Sequence, residues 1–473
     1  MYTRWLFIFR QDLRLEDNTA LFAIFSHCAE VIPVFIFDEE ILASFTRPDA
    51  RISFLLDVVT DLQEQLRSQW SDLLVFHGKS EELLPQLIAG YKVDACFRNR
   101  SYGKGALRRD IIVRDRCASH HIACHTSQDY LLVEPEQVPV RKVFTPFYML
   151  WQQVPKQLPK ENSLSISSFP KECSEELLSI ASLDLTNKTK VLDRLQWAKQ
   201  TVWSRHDAAQ KFSQLPLLSY DALRNRPDIC GTSMLSPYLR FWLYSPRQLM
   251  ERVIDQWTPG TFWEEQTVRM EKKVFQNSFV SELAWREFWR HIYHYFPESR
   301  QIAFQEKRRE IHRQNNENWF AARQEGRTGY PIVDAGMRQL KAMHRMHGRV
   351  RMIVASFLCK DLLIDRQRGE QHFANYLLDY DEAVNMGNRQ WSASVWADPK
   401  PLRIFNPILQ SQKFDPQASY IKTRLPELAH HSADELHDPL TNTLDWHRPI
   451  VDHFVMSKRA RELYKGVLQE GLF

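Results

Sequence analysis

Four segments in the second half of the chain combine residue types that could do chemistry. In Glu282-Leu283-Ala284-Trp285-Arg286-Glu287-Phe288-Trp289-Arg290, helical spacing puts Glu282, Trp285 and Trp289 on one face and Arg286 with Arg290 on another. A carboxylate beside an indole can accept hydrogen bonds from a base edge while the ring stacks on it. A partly buried aromatic stripe with solvated charges is the commoner outcome. His344-Arg345-Met346-His347-Gly348-Arg349-Val350-Arg351-Met352 interleaves cations with apolar residues, a pattern suited to phosphate contact and ill suited to a wholly solvated face. Asp379-Tyr380-Asp381-Glu382 runs on to Asn385 and Trp391. Buried carboxylates are costly unless paired, so Arg351 is the natural partner for Asp379, although a surface turn would read the same way. Gly231-Thr232-Ser233-Met234-Leu235-Ser236-Pro237 places hydroxyls ahead of Pro237 at an expected helix start. Free N–H groups there suit a phosphate, and an ordinary cap is the favoured reading of this segment alone.

Two kinds of element must position these residues. The first 130 residues alternate β-rich runs (Trp5–Phe9, Glu30–Phe37, Leu73–Phe76, Ala95–Phe97, Ile122–Cys124) with helical stretches such as Ile52 to Leu66 and Leu83 to Ile88. Strands alternating with helices predict an α/β, Rossmann-like parallel sheet covered on both faces. No GxGxxG follows the first strand, where Phe9-Arg10-Gln11-Asp12-Leu13-Arg14 stands, so a dinucleotide dehydrogenase is disfavoured. Residues 133–196 read as an irregular Pro-, Ser- and Lys-rich connector. From Trp197 the apolar period is helical, as in Pro331–Ile364, and residues 197–473 read as an all-α domain.

The bulk properties agree with a folded two-domain protein. The chain has 473 residues, 44% hydrophobic and 25% charged, too long for one ordinary core. Its net charge of +4 is too small to indicate nucleic-acid binding by itself. Seven scattered cysteines without CxxC pairing argue against a structural metal or a disulfide framework and for a reducing compartment, expected to be the cytoplasm. The apolar start is too short for a signal peptide, and no run reaches membrane-spanning length. Fourteen tryptophans suit stacking against flat partners, or simply large cores.

The order and spacing of the motifs resemble the DNA photolyase/cryptochrome family along nearly the whole chain, most closely its class I cyclobutane pyrimidine dimer photolyases. The resemblance rests on Leu13-Arg14-Leu15 with Asp17-Asn18, Val143–Tyr148, Leu235–Phe241, Glu282–Phe288, Gly326–Ala335, Arg349–Asp365, Arg403–Pro407 and Lys413–Asp415. It implies an N-terminal antenna domain over 1–132 and a helical domain over 197–473 that holds FAD and the lesion. Tyr220 and Thr232, Ser233, Met234, Leu235 and Ser236 would contact the FAD phosphates and ribitol. Phe279, Arg286 and Arg351 would lie near the cofactor, with Arg351 pairing Asp379. Asp381 would meet its adenine and ribityl end, and Asn385 its N5. Glu282, Trp285, Arg349, Met352, Trp391 and Arg403 would meet DNA, with Glu282, Asn385 and Trp391 closest to the chemistry. The implied activity is light-driven splitting of a flipped-out pyrimidine dimer by a monomer acting on damaged double-stranded DNA.

The alternatives are a cryptochrome-like blue-light sensor and a degenerate FAD- and DNA-binding relative. The stop at Phe473 and the choice of Asn385 favour the enzyme. Several residues depart from the family pattern. Gly348, Met234 and Phe279 replace an asparagine, an arginine and a tryptophan. Arg366, Arg389 and Arg313 stand at the three electron-relay tryptophans, and Arg323 and Arg345 at two other tryptophans. The folate-antenna residues are not matched near Gly105 or Glu298, so a second chromophore has no assigned identity.

Overall fold

The structure, a computed structural model, describes residues 4–25, 30–45, 49–69, 71–160, 183, 191, 205–215, 217–257, 267–268, 274–397, 402–441 and 444–469. The chain forms two compact units. Residues 1–139, 149–215 and 234–276 make the first, and residues 140–148, 216–233 and 277–473 the second.

The first unit is built on five parallel strands: β1 (Arg4–Phe9), β2 (Glu30–Asp38), β3 (Leu74–Gly78), β4 (Ala95–Asn99) and β5 (Ala123–Ser127). Their order is β3-β2-β1-β4-β5, the doubly wound arrangement in which the chain starts in the middle and works outward on both sides. Parallel strands are buried on both faces, which is why Trp5–Phe9 reads as an unbroken apolar run. The Thr19–Phe25 helix and helices α1 (Ala50–Ser68), α2 (Ser80–Gly90) and α3 (Lys104–Ser119) supply the four crossovers. Leu6, Ile8, Ile32 and Val34 pack with Leu84, Leu87 and Ile88 of α2 and Val113 and Cys117 of α3.

One expectation is corrected inside the stretch read as an irregular connector. Phe144–Gln153 is a helix, α4, and Lys156–Gln157 pairs antiparallel with Thr267–Val268. Phe147 and Trp151, four apart, are both buried, so α4 is fixed by packing. The Pro- and Ser-rich composition that suggested a loop belongs largely to residues 161–182, outside the described residues.

The described part of the second unit is predominantly helical. Its framework is α5 (Ser278–Tyr295), α6 (Glu317–Glu325), α7 (Pro331–Met343), α8 (Gly348–Ser356), α9 (Arg366–Tyr376), α10 (Glu382–Ser392) and α11 (His453–Gln469). One core runs through Ile332, Val333, Leu340, Val350, Ile353, Phe357, Phe373 and Tyr464. Helix α10 lies close against α5 because position 387 is glycine, where a Cβ would sit 2.1 Å from the Trp289 ring. No helix among the described residues is long and apolar enough to cross a membrane.

Candidate functional site

Helix α5 starts at Asn277, whose side chain accepts from the Phe279 N–H. One turn into α5, the half-exposed Glu282 carboxylate pairs with Arg224 at 2.5 Å. Three residues on, Trp285 stacks face to face with Phe144 of α4, centroids 3.7 Å apart and planes 6° from parallel. One face of this indole is therefore taken and held. Trp289 is buried, and its Nε1 donates to Asn388 of α10 at 3.2 Å. Arg290 is also buried and reaches Asp381 at 2.6 Å. Glu282 and Arg290 are thus engaged, and Glu282 and Trp285 are left half-accessible.

Asp381 caps α10, accepting from the Val384 N–H with one oxygen while the other holds Arg290. One turn later Asn385 faces the interior, and its Nδ2 is buried without a hydrogen-bond partner. A buried amide donor left unpaired costs about 1–3 kcal/mol, which marks the place as one where a partner belongs. Arg351 donates to both oxygens of Asp379, at 2.9 and 3.1 Å, as the desolvation argument expects. Arg349 donates to Asn225 at 2.5 Å, its Nη1 lies 3.6 Å from the Met352 sulfur, and its guanidinium covers the Phe414 ring. Trp391 has Arg403 4.5 Å above its ring.

The hydroxyl segment differs from its cap reading. The helix there is only Ser236–Arg240, and its N-cap position is Leu235, with no side-chain cap. Thr232 and Ser233 fall too early in the chain to cap it. Met234 holds φ +54°, a left-handed conformation uncommon for a residue with a side chain. Gly231 is required where it stands, since a Cβ would come within 2.4 Å of the Leu223 carbonyl oxygen. Tyr220 meets Phe279 edge-on at 5.4 Å, and burial raises its phenol pKa.

Two residues that hold side chains of the candidate site were missed from sequence. Arg224 and Asn225 hold Glu282 and Arg349 respectively. The signal available was a basic cluster, Arg224-Asn225-Arg226, four residues after Tyr220. Its relevance depends on packing against α5 and α8, which no local pattern reveals.

Family models place this arrangement. One described as the FAD binding domain of DNA photolyase matches residues 279–466, and one described as DNA photolyase matches residues 5–163. A deoxyribodipyrimidine photo-lyase from Synechococcus is 36% identical over 97% of this chain and 96% of its own. The chain belongs to the DNA photolyase family. The Escherichia coli deoxyribodipyrimidine photo-lyase is 33% identical over 95% of this chain and 96% of its own. An archaeal photolyase from Sulfolobus tokodaii, solved with two FAD molecules, superposes with a TM-score of 0.84 at 32% identity, covering 98% of this chain and 100% of that one. A Synechocystis cryptochrome superposes with a TM-score of 0.83 at 24% identity, over 98% of this chain and 99% of that one, a likeness of fold alone.

Proposed function

We propose that this photolyase-family chain is a deoxyribodipyrimidine photo-lyase that repairs cyclobutane pyrimidine dimers in DNA, with FAD bound in its helical unit. The observation that carries the reading is the unpartnered buried amide of Asn385, one turn beyond the capped start of α10 and inside the segment matched by the FAD-binding family model. FAD held there would supply reversible one-electron chemistry for splitting the cyclobutane ring, with no net redox change.

The chain's own groups do the rest. Asn385 supplies a neutral hydrogen-bonding group to the ring, adding no charge that would oppose an electron-rich cofactor. Arg290 and Arg351 are already matched by Asp381 and Asp379, which fixes their positions before a ligand arrives. Phe279 and Arg286, with Tyr220 and the Thr232–Ser236 segment, are the remaining cofactor contacts of this reading. Glu282 accepts hydrogen bonds from the pyrimidine edge after exchanging its pairing with Arg224. Both groups are partly solvated, and such pairs are worth only about 0–1 kcal/mol, so the exchange is cheap. Trp285, braced from behind by Phe144, offers its other face as a wall, with Trp391 and Met352 as further apolar surface. Arg349 and Arg403 meet the backbone phosphates of a single-site, monomeric complex. In the first unit, Asp38, Lys79, Ser80, Gly105, Arg108 and Arg109 line a small cleft, and a second chromophore stays part of this reading without an assigned site.

The test is illumination of dithionite-reduced holoprotein with an oligonucleotide carrying one thymine dimer. Thymine restoration in light and none in the dark is expected. No restoration with flavin retained would replace repair by a sensing or degenerate role.

A further inference from the structure

Two arginines of the helical unit are buried with guanidinium N–H groups that find no hydrogen-bond partner among the described residues. Arg323 on α6 is 0% exposed, and its Nε, Nη1 and Nη2 all lack a hydrogen-bond partner. Arg389 on α10 is 4% exposed, and both its Nη1 and Nη2 are likewise unpartnered. The two converge on one ring: the Arg389 guanidinium carbon lies 3.4 Å from the Phe373 centroid and that of Arg323 lies 5.9 Å from it.

The neighbouring groups add little counter-charge. His372 is held neutral, its pKa pushed down to about 3 by burial and by these two arginines. Cys359 is the neighbour that most opposes the lowering of both arginines, and Glu370, which acts on Arg389 after it, already faces Arg366 at 3.7 Å. Burial lifts the Glu370 carboxyl to about 7, against the pull of Arg366 and Arg389, so it is only partly ionised near neutrality. Burial brings Arg323 down to about 10, and burial together with Arg323 brings Arg389 down to about 9; both stay charged at neutral pH. An isolated buried charge is strongly unfavourable unless paired, and a planar fork of N–H donors binds an anion well.

We infer that Arg323 and Arg389 form a buried site for a small monovalent inorganic anion of the chloride class. The unpartnered N–H groups are its ligands, and the Phe373 ring is one wall. The near-complete burial of both side chains selects against organic acids, and a multiply charged, strongly hydrated anion would lose more on desolvation. The inference is independent of the repair reading, since it concerns charge inside the helical unit.

The experiment compares thermal unfolding of the holoprotein in sodium chloride and in sodium gluconate at equal ionic strength. A ligand that binds only the folded state raises Tm in a concentration-dependent, saturable way. Chloride is expected to raise Tm by several degrees over gluconate, and Arg323→Met with Arg389→Met to abolish the difference. Equal Tm in the two salts, or a chloride effect that survives in the double variant, would overturn the site. If the double variant does not fold, bromide-exchanged crystals of the unaltered protein decide. An anomalous peak between the two guanidiniums supports the assignment, and its absence refutes it.

Discussion

Two clusters of buried charge, one in each unit, are handled in opposite ways. In the sheet unit, Arg14 and Arg247 are sunk among Asp17 and Asp129. Asp129 takes Arg14 at 2.6 Å and Arg247 at 2.7 Å, and Arg247 also reaches Asp17 at 3.0 Å. Arg14 donates further to the Trp242 carbonyl at 3.0 Å, and Ser245 donates to Asp17. Burial alone would raise the Asp129 pKa, and the two arginines overcome it and hold the carboxyl well below the usual carboxylate range. In the helical unit, Arg323 and Arg389 have the burial without the partners. A closed network ties together distant stretches of chain, whereas an open one states a demand that something else must meet.

The sharpest way to break this contrast is to remove one charge from each unit. Asp129→Ala leaves Arg14 and Arg247 without their shared carboxylate, and losing one partner of a buried pair costs about 3–5 kcal/mol. Arg323→Met removes a cation that has no hydrogen-bond partner among the described residues, so in chloride-free buffer stability should be unchanged or higher. Urea unfolding measures both. Equal losses in the two variants would mean that Arg323 is neutralised by the protein after all.

The next test concerns light. Indole can be oxidised by an excited flavin and guanidinium cannot, and arginines stand at 313, 366 and 389, where the family resemblance implies a tryptophan relay. Blue light with a thiol donor should therefore bleach the oxidised flavin bands slowly, while dithionite-reduced protein repairs normally. Arg389→Trp combined with Arg366→Trp and Arg313→Trp should quicken the bleaching. Trp285, Trp289 and Trp396 form a separate indole row, with centroids 5.7 and 5.3 Å apart. Fast bleaching in the unaltered protein that Trp289→Phe removes would show that this row had taken over the task.

A smaller effect separates lesion from cofactor. Glu282→Ala and Trp285→Ala should each weaken binding to dimer-containing DNA, by about 1–3 kcal/mol for the stacking indole, with FAD content unchanged. Both side chains are half-accessible on α5. Parallel loss of flavin would move them into the cofactor site.

Legibility from sequence divides along similar lines. Strands β1 to β4 were readable because each carries a short apolar run between helical periods, whereas β5, Ala-Cys-His-Thr-Ser, was reached only at its first two residues. Arg351–Asp379 was readable because a buried acid 28 residues from a suitable arginine needs one. Asp381 was placed near the site, but its commitment to the cap of α10 and to Arg290 was not foreseen, since the helix start had no other marker. The Arg14–Asp129–Arg247–Asp17 network spans up to 230 residues, and only the fold brings its members together. Helix α4 was masked by the composition around it. The arginines at 323 and 389 were visible as departures from a family pattern. That their N–H groups are left without partners is a fact of packing, outside the reach of spacing.

The last and smallest effect tests whether Arg349 faces DNA. Its guanidinium lies over Phe414 and donates to Asn225 and no carboxylate, so its charge is not matched by a direct ion pair among the described residues. Burial lowers its pKa and Arg224 adds to that, with Glu282 opposing. A cation so placed gains by meeting a phosphate, and each such contact releases condensed counterions from the duplex. Binding to damaged duplex should therefore weaken steeply with salt, and Arg349→Ala should lower the log–log slope by roughly 0.9. The same change should weaken binding to damaged and undamaged duplex by a similar factor, because phosphates carry no lesion information. A variant with an unaltered slope, or one that loses only the preference for the lesion, would take Arg349 off the phosphate backbone and place it beside the dimer.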